Sequence, residues 1–352
     1  MNQDCLEDQV YPNPKRVAWV DIARVFTMLC TMLTHAPVVD ALKRGMWFTG
    51  SGRMCLLFLV AGYFMGKRKE GSSVYFPHAG RALRMFWAYI ILIGLYVLFL
   101  GWTPYWTWQV LDPLLSGSIA QKFDVVERIF GIGDQPPGPF WFLRDLILLT
   151  LMCGGLIYLR RKKLLLMISL ALLCFGKELA CNHFVIGVYQ VIHPREIAFF
   201  SLGVCLTPVS LATIADFLRK RSLIILVATA VVLFYEWGTL SHPSPLGISF
   251  YMLFVCVIAL GIERYWPAFA KWMAGLGETV FLVYVIHMLL ISLIWHLVRL
   301  WFKDPSAMLP EWSWFMIVPL MYLAIHYFVM WIKRLSPNLF SLLAIRTRPP
   351  YR

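Results

Sequence analysis

Residues 17–39 read VAWVDIARVFTMLCTMLTHAPVV, an apolar run long enough to cross a bilayer that nonetheless holds Asp21, Arg24 and His35. Each charged group inside a span costs roughly 2.5–3.5 kcal/mol on insertion scales, so these three demand a polar, interior destination. At about 100° per residue, Arg24 and His35 return to nearly the same helix face, with Asp21 and Met28 close to that stripe. A rise of about 1.5 Å per residue separates Arg24 and His35 by about 16 Å along the axis. They are predicted to mark one polar line, from the cytoplasmic third of the bilayer to well past its midplane, without touching each other.

Working outward, the same kind of run recurs near 46–66, 84–103, 139–159, 164–182, 195–214, 222–240, 246–263, 276–298 and 313–333. The expected fold is all-α, a polytopic integral membrane protein of about ten transmembrane helices. Of 352 residues, 60% are hydrophobic and only 14% charged, against roughly 25% charged in soluble chains, so most of the surface has to face lipid. Trp47, Trp102, Trp141, Trp301 and Trp312 stand at run ends, where an interfacial belt would lie.

Charge orients the chain. Lys15 and Arg16 precede the first run, and further blocks follow every second one: Lys67-Arg68-Lys69 with Arg81 and Arg84, Arg160-Arg161-Lys162-Lys163, Arg219-Lys220-Arg221, Arg264 with Lys271, and Lys333-Arg334. The positive-inside rule then places both termini in the cytoplasm. The expected organisation is a cytoplasmic segment 1–16, a membrane domain 17–333 and a cytoplasmic tail 334–352. The long connection 104–138, which carries IGDQPPGP before Phe140, is extracytoplasmic on that topology and suited to capping a site. The first run lacks a small-residue cleavage site and is expected to stay in place as a span.

The net charge of +13 resides in these short blocks and not on one soluble basic face, so nucleic acid is not an expected partner. Cys30, Cys55, Cys153, Cys174, Cys205 and Cys256 lie inside apolar runs with no CxxC spacing, so they suggest neither a disulfide framework nor a metal site. Neither HExxH nor GxxxxGK[ST] nor GxGxxG occurs, which leaves metal hydrolysis, nucleotide hydrolysis and dinucleotide chemistry unsupported. No bound cofactor and no metal are expected.

Arg24, ten intervening residues and His35 are similar to the RX10H motif of the membrane acyltransferase-3 family, with Asp21 where that family's first span commonly has Asp. FLVAGYF at 58–64 resembles its second-span F-x-x-S-G-F/Y-x segment, Arg81 and Arg84 its paired arginines, and FWFLRDL at 140–146 its W-F-L segment. FFSLGVCL at 199–206 and LGETVFLVYVIH at 276–287 resemble its later F-F-x-L-G and L-G-x-x-S-x-x-x-Y-x-x-H segments. The likeness runs from about 16 to 333. Ala61 replaces the usual small hydroxyl residue and Thr279 the usual Ser. The Glu that many members carry just after W-F-L has no counterpart: Leu146 stands there, with Asp145 one residue earlier as a candidate substitute. In shape the chain is expected to be closer to stand-alone members such as the glucan succinyltransferases.

This resemblance implies transfer of a short acyl group, acetyl or succinyl, to a hydroxyl of an extracytoplasmic or lipid-linked glycan at the inner (plasma) membrane. The implied co-substrate is cytoplasmic acyl-CoA, either acetyl-CoA or succinyl-CoA. His35, Arg24 and Asp21 are the implied catalytic residues, with His35 preferred as general base over transient acyl carrier. Arg81 and Arg84, near Lys67-Arg68-Lys69, suit the donor's phosphates; without the resemblance they read equally as positive-inside charges. Arg53, Trp141, Arg144 and Asp145 are candidate acceptor or oxyanion contacts, and His287 is a second-tier site candidate. His183, His193 and His242 fall in expected outer loops, while His296 and His326 have only their rarity in spans to recommend them. Expected partners are the lipid bilayer, acyl-CoA and a glycan acceptor, with glycan-synthesis proteins or a second copy of the chain also in view.

Two other readings stand beside this one. Intramembrane His, Arg and Asp also line proton or anion pathways, which would make the chain a transporter. A noncatalytic scaffold of a glycan synthase would tolerate replacement of His35.

Overall fold

The computed structural model describes residues 17–36, 54–67, 76–100, 117–118, 140–181, 194–239, 244–301, 311–337 and 340. Within them the chain forms α1 (Ala18–His35), α2 (Met54–Gly66), α3 (Phe76–Leu100), α4 (Phe140–Arg161), α5 (Leu164–Cys181) and α6 (Pro194–Cys205). There follow α7 (Leu211–Lys220), α8 (Ser222–Thr239), α9 (Pro245–Tyr265), α10 (Pro267–Leu276), α11 (Val280–Trp301) and α12 (Trp314–Leu335). A 3-10 turn at Glu311–Ser313 leads into α12, and no strand occurs among the described residues.

Every apolar run read from the sequence carries a helix, but not every run is one straight helix. Phe142–Arg161 of α4, together with α9 and α12, are long and apolar enough to cross a membrane singly. A fourth candidate is α10 with Val280–His287 of α11, a pair bent by 59°. The run expected at 276–298 therefore begins with a break at Gly277-Glu278-Thr279. The run expected at 195–214 divides as well. Its first part, α6, is 12 residues, about 18 Å long, against a hydrocarbon core of roughly 30 Å. Ser210 then caps α7 by accepting from the Thr213 N–H at 3.0 Å. The third helix starts at Phe76, eight residues before the expected 84, so Arg81 and Arg84 belong to its first turns.

The polarity of the molecule is that of a membrane protein. Met167, Leu223 and Phe234 expose 70, 73 and 85% of their surface, whereas Asp21, Arg144, Asp145, Glu196, Glu236, His287 and His326 are buried. Hydroxyls within the helices turn back on their own backbone: Thr31 to Thr27 O, Thr150 to Leu146 O, Ser169 to Leu165 O and Thr229 to Ile225 O, at 2.6–2.9 Å. Each is thereby satisfied without leaving its helix, which lipid requires.

Two groups of helices meet in the interior. One surrounds α1, which packs against α9, α10, α11 and α12. The other surrounds α4, which packs against α3, α5 and α6. Helix α2 joins the second group by direct backbone contact with α6: a Cβ on Gly62 would overlap Phe200 O, and one on Gly203 would overlap Leu59 O. Only glycine permits so close a crossing. A two-residue turn connects α4 to α5, with Lys163 in the left-handed region at φ 61° and its N–H donating to Arg160 O at 2.9 Å. Helix α11 reaches from the first group to α3 in the second. The candidate site lies on this seam.

Candidate functional site

Helix α1 stops at His35 because the following residue, Ala36, adopts an extended backbone ahead of Pro37, while its N–H donates to Leu33 O at 3.2 Å. His35 is thus the last helical residue, and its side chain is exposed. Across from it, α11 presents His287, fully buried, with the two ring centroids 5.4 Å apart. The spacing Y-x-x-H lays Tyr284 one turn below His287, and the imidazole Nδ1 bonds the Tyr284 carbonyl. The other nitrogen of His287, Nε2, is buried without a hydrogen-bond partner among the described residues.

A row of rings carries this pair across the seam. The Tyr284 ring lies 5.6 Å from His287 and meets Phe142 of α4 edge-on at 5.1 Å. Phe142 in turn lies 4.7 Å from Phe58 of α2. One turn along α4, Arg144 and Asp145 form an ion pair, with Nε and Nη2 of Arg144 each 2.9 Å from Asp145 Oδ1. Asp145 is wholly buried, and Tyr89 and Tyr284 both stand within its electrostatic reach. Four helices thus converge behind His35.

The other end of α1 is built differently. Arg24 Nη1 donates to Asp21 Oδ1 at 2.9 Å, one turn apart on the same face. The Asp21 side chain packs against Gly277, where a Cβ would come within 2.7 Å of the Asp21 Cβ. Gly277 opens the break between α10 and α11, which frees carbonyls that lipid cannot satisfy. The Tyr322 hydroxyl donates to Leu276 O at 3.2 Å, and the Thr279 hydroxyl is placed 3.2 Å from that same oxygen. Thr279 also bonds His326 Nδ1 at 2.8 Å, and Lys333 Nζ donates to Glu278 Oε1 at 2.6 Å. Between the two ends, Met28 and Thr27 are buried, and the Thr27 hydroxyl has no hydrogen-bond partner among the described residues.

The line read from the sequence therefore resolves into two sites. Asp21 and Arg24 belong together; His35 stands away from them and gathers His287, with Tyr284, Phe142, Arg144 and Asp145 behind. Arg81 is partly exposed and Arg84 exposed on α3. Arg53, the Trp141 side chain, the connection 104–138 apart from 117–118, His183, His193, His242 and the His296 side chain lie outside the described residues. Sequence reading missed Tyr89 and Phe142 as walls of the site, and His326 as the partner of Thr279. The signal for His326 was present in Thr279 itself, the one Ser or Thr hydroxyl in the segment 276–287. Among the described residues no three His, Cys, Asp or Glu side chains are grouped to hold a metal.

An exposed imidazole backed by a buried one can take and return a proton beside a reacting hydroxyl. No curated protein and no solved structure matches the chain. A family model described as an acyltransferase domain matches residues 17–334, nearly the whole length, and contains both ends of α1 and every helix of the seam. The chain is a member of this acyltransferase-3 family of membrane proteins.

Proposed function

We propose that the protein is an O-acyltransferase of the inner (plasma) membrane, crossing it in about ten spans with both termini cytoplasmic. It moves an acetyl or succinyl group from cytoplasmic acyl-CoA to a hydroxyl of an extracytoplasmic or lipid-linked glycan. The observation that carries this reading is the exposed His35, backed by His287 and about 16 Å along α1 from Arg24, in a chain of an acyltransferase family.

Arg81 and Arg84 hold the donor's phosphates at the cytoplasmic edge, and the thioester arm runs inward past Arg24. At the far end the acceptor O–H gives its proton to a ring nitrogen of His35 as its oxygen bonds to the thioester carbonyl carbon. Collapse breaks the C–S bond, and the imidazolium returns the proton to the departing CoA thiolate. General base catalysis of this kind supplies typically 10²–10⁴-fold. Arg53 and Trp141 serve as acceptor contacts. The Arg144–Asp145 pair, buried and internally matched in charge, holds the aromatic wall in place rather than meeting the glycan directly. Glycan-synthesis proteins, or a second copy of the chain, deliver the acceptor.

The test is a mass comparison of envelope glycans from cells carrying the intact chain, a deletion, and His35→Ala at matched membrane abundance. Loss of one acyl increment in both altered strains supports the reading, and the increment identifies the donor. Persistence of the increment in His35→Ala cells removes His35 from the chemistry and favours a transporter or scaffold.

A further inference from the structure

We infer that α7, the close of α9 and α10 form an interfacial collar that binds anionic phospholipid headgroups through Arg221, Arg264 and Lys271. It does not depend on the chemistry at His35. Helices α7 and α10 have 10 residues each, about 15 Å, too short to cross a bilayer. Helix α10 is also bent by 59° from Val280–His287, which turns it toward the membrane plane. Contacts gather these pieces at one end of the bundle. Only Trp266 separates α9 from α10, and Arg219 of α7 pairs with Glu263 in the last turn of α9 at 3.2 Å. Lys333, in the last turn of α12, meets Glu278 just past α10. On the topology proposed above, this end faces the cytoplasm.

Each short helix is divided into three sectors. Helix α10 buries Ala270, Met273 and Leu276, exposes Phe269 and Trp272 on a neighbouring flank with their rings stacked at 5.4 Å, and carries Lys271 on the far side. Helix α7 buries Ala215 and Leu218, exposes Phe217 on one flank and sets Asp216 and Lys220 opposite the buried face. Such a helix rests in the headgroup layer, rings toward the acyl chains and cations toward the phosphates. The cations select the headgroup. Lys220 is matched by Asp216 at 2.8 Å and Arg219 by Glu263, whereas Arg221, Arg264 and Lys271 meet no carboxylate among the described residues. Arg221 lies over the Phe217 ring at 5.9 Å and Arg264 over the Tyr265 ring at 5.5 Å, so each guanidinium is held beside an exposed ring. A zwitterionic headgroup brings its own ammonium to offset its phosphate, but phosphatidylglycerol leaves its charge for these cations to neutralise.

The test reconstitutes the full chain in nanodiscs of equal parts phosphatidylglycerol and phosphatidylcholine, with a photoactivatable group on one lipid or the other. Adducts are then mapped by peptide mass. On peptides covering 211–221 and 264–272 the phosphatidylglycerol-to-phosphatidylcholine adduct ratio should exceed about fivefold, the factor one cation near a headgroup layer supplies. At the exposed Met167 and Phe234 it should stay near parity. Replacing Arg221, Arg264 and Lys271 together by Gln is expected to bring the collar ratio below about twofold. Replacing Arg161, Lys162 and Lys163 by Gln removes the same charge from the turn between α4 and α5 and should leave the collar ratio as it was. Parity at the collar of the unaltered chain overturns the inference. So does an equal loss in both triple variants, which would make net charge the cause. Displacement of the phosphatidylglycerol excess by acetyl-CoA at matched ionic strength would also overturn it, by making the collar a site for a soluble phosphate. If the collar triple variant fails to accumulate, Lys271→Gln decides alone: the ratio on 264–272 should fall at least about twofold, and an unchanged ratio overturns the inference.

Discussion

The two ends of α1 make an instructive contrast. At the Asp21 end the described polar groups answer one another within the protein: the carboxylate meets Arg24, and Tyr322, Thr279 and Lys333 attend to the broken helix beside it. At the His35 end the helix simply stops, and a buried imidazole nitrogen with no hydrogen-bond partner among the described residues lies beside an exposed imidazole. Closing polar groups on one another gives stability, whereas an exposed imidazole backed by a buried one can take and return a proton. Substitutions at the first end should accordingly register in melting, and those at the second in turnover.

The sharpest break in that contrast comes from His35→Ala. Its transfer rate should fall by roughly 10²–10⁴-fold while the melting temperature in detergent stays close to wild type. A large melting shift with retained transfer would reverse the two ends. Gly277→Ala addresses the other one. A Cβ there meets Asp21 Cβ at 2.7 Å and Ala274 O at 3.0 Å, so about 1–3 kcal/mol of stability should be lost, seen as a melting point several degrees lower. Asp21→Asn keeps the shape but leaves the partly exposed Arg24 without its counter-charge, at a cost of about 1 kcal/mol. Lys333→Met should cost least, about 0.5 kcal/mol, since its pair with Glu278 is partly open to solvent. A stability loss ordered otherwise along this series would show that the Asp21 end is not held as its contacts suggest.

Much of the fold was legible because lipid imposes one dominant rule, and apolar runs obey it visibly. The polar face of α1 was legible for the same reason, since a charge inside such a run stands out against its neighbours. The break at Gly277-Glu278-Thr279 was harder to see. Val280–Trp301 is predominantly apolar, and its hydropathy hides that the chain bends before it begins. The division of 195–214 could have been read from Pro208, Ser210 and the alternation of Asp216, Arg219 and Lys220 with apolar residues, which marks a separate amphipathic turn. The pairing of His35 with His287 had no local signature. It joins residues about 250 positions apart through the packing of α1 on α11, and one sequence carries no trace of which apolar faces meet.

The contact of α2 with α6 carries a consequence for how variation can accumulate. At Gly247 an added methyl would collide with the carboxyl of Glu236, a side chain that a second substitution could shorten. At Gly62 and Gly203 it would collide with main-chain atoms of Phe200, Leu59 and Tyr63, which remain whatever residue is written there. No second-site suppressor acting by side-chain replacement across that crossing can rescue either position. A genetic screen should return revertants of Gly247 variants and only true back-mutations at the other two.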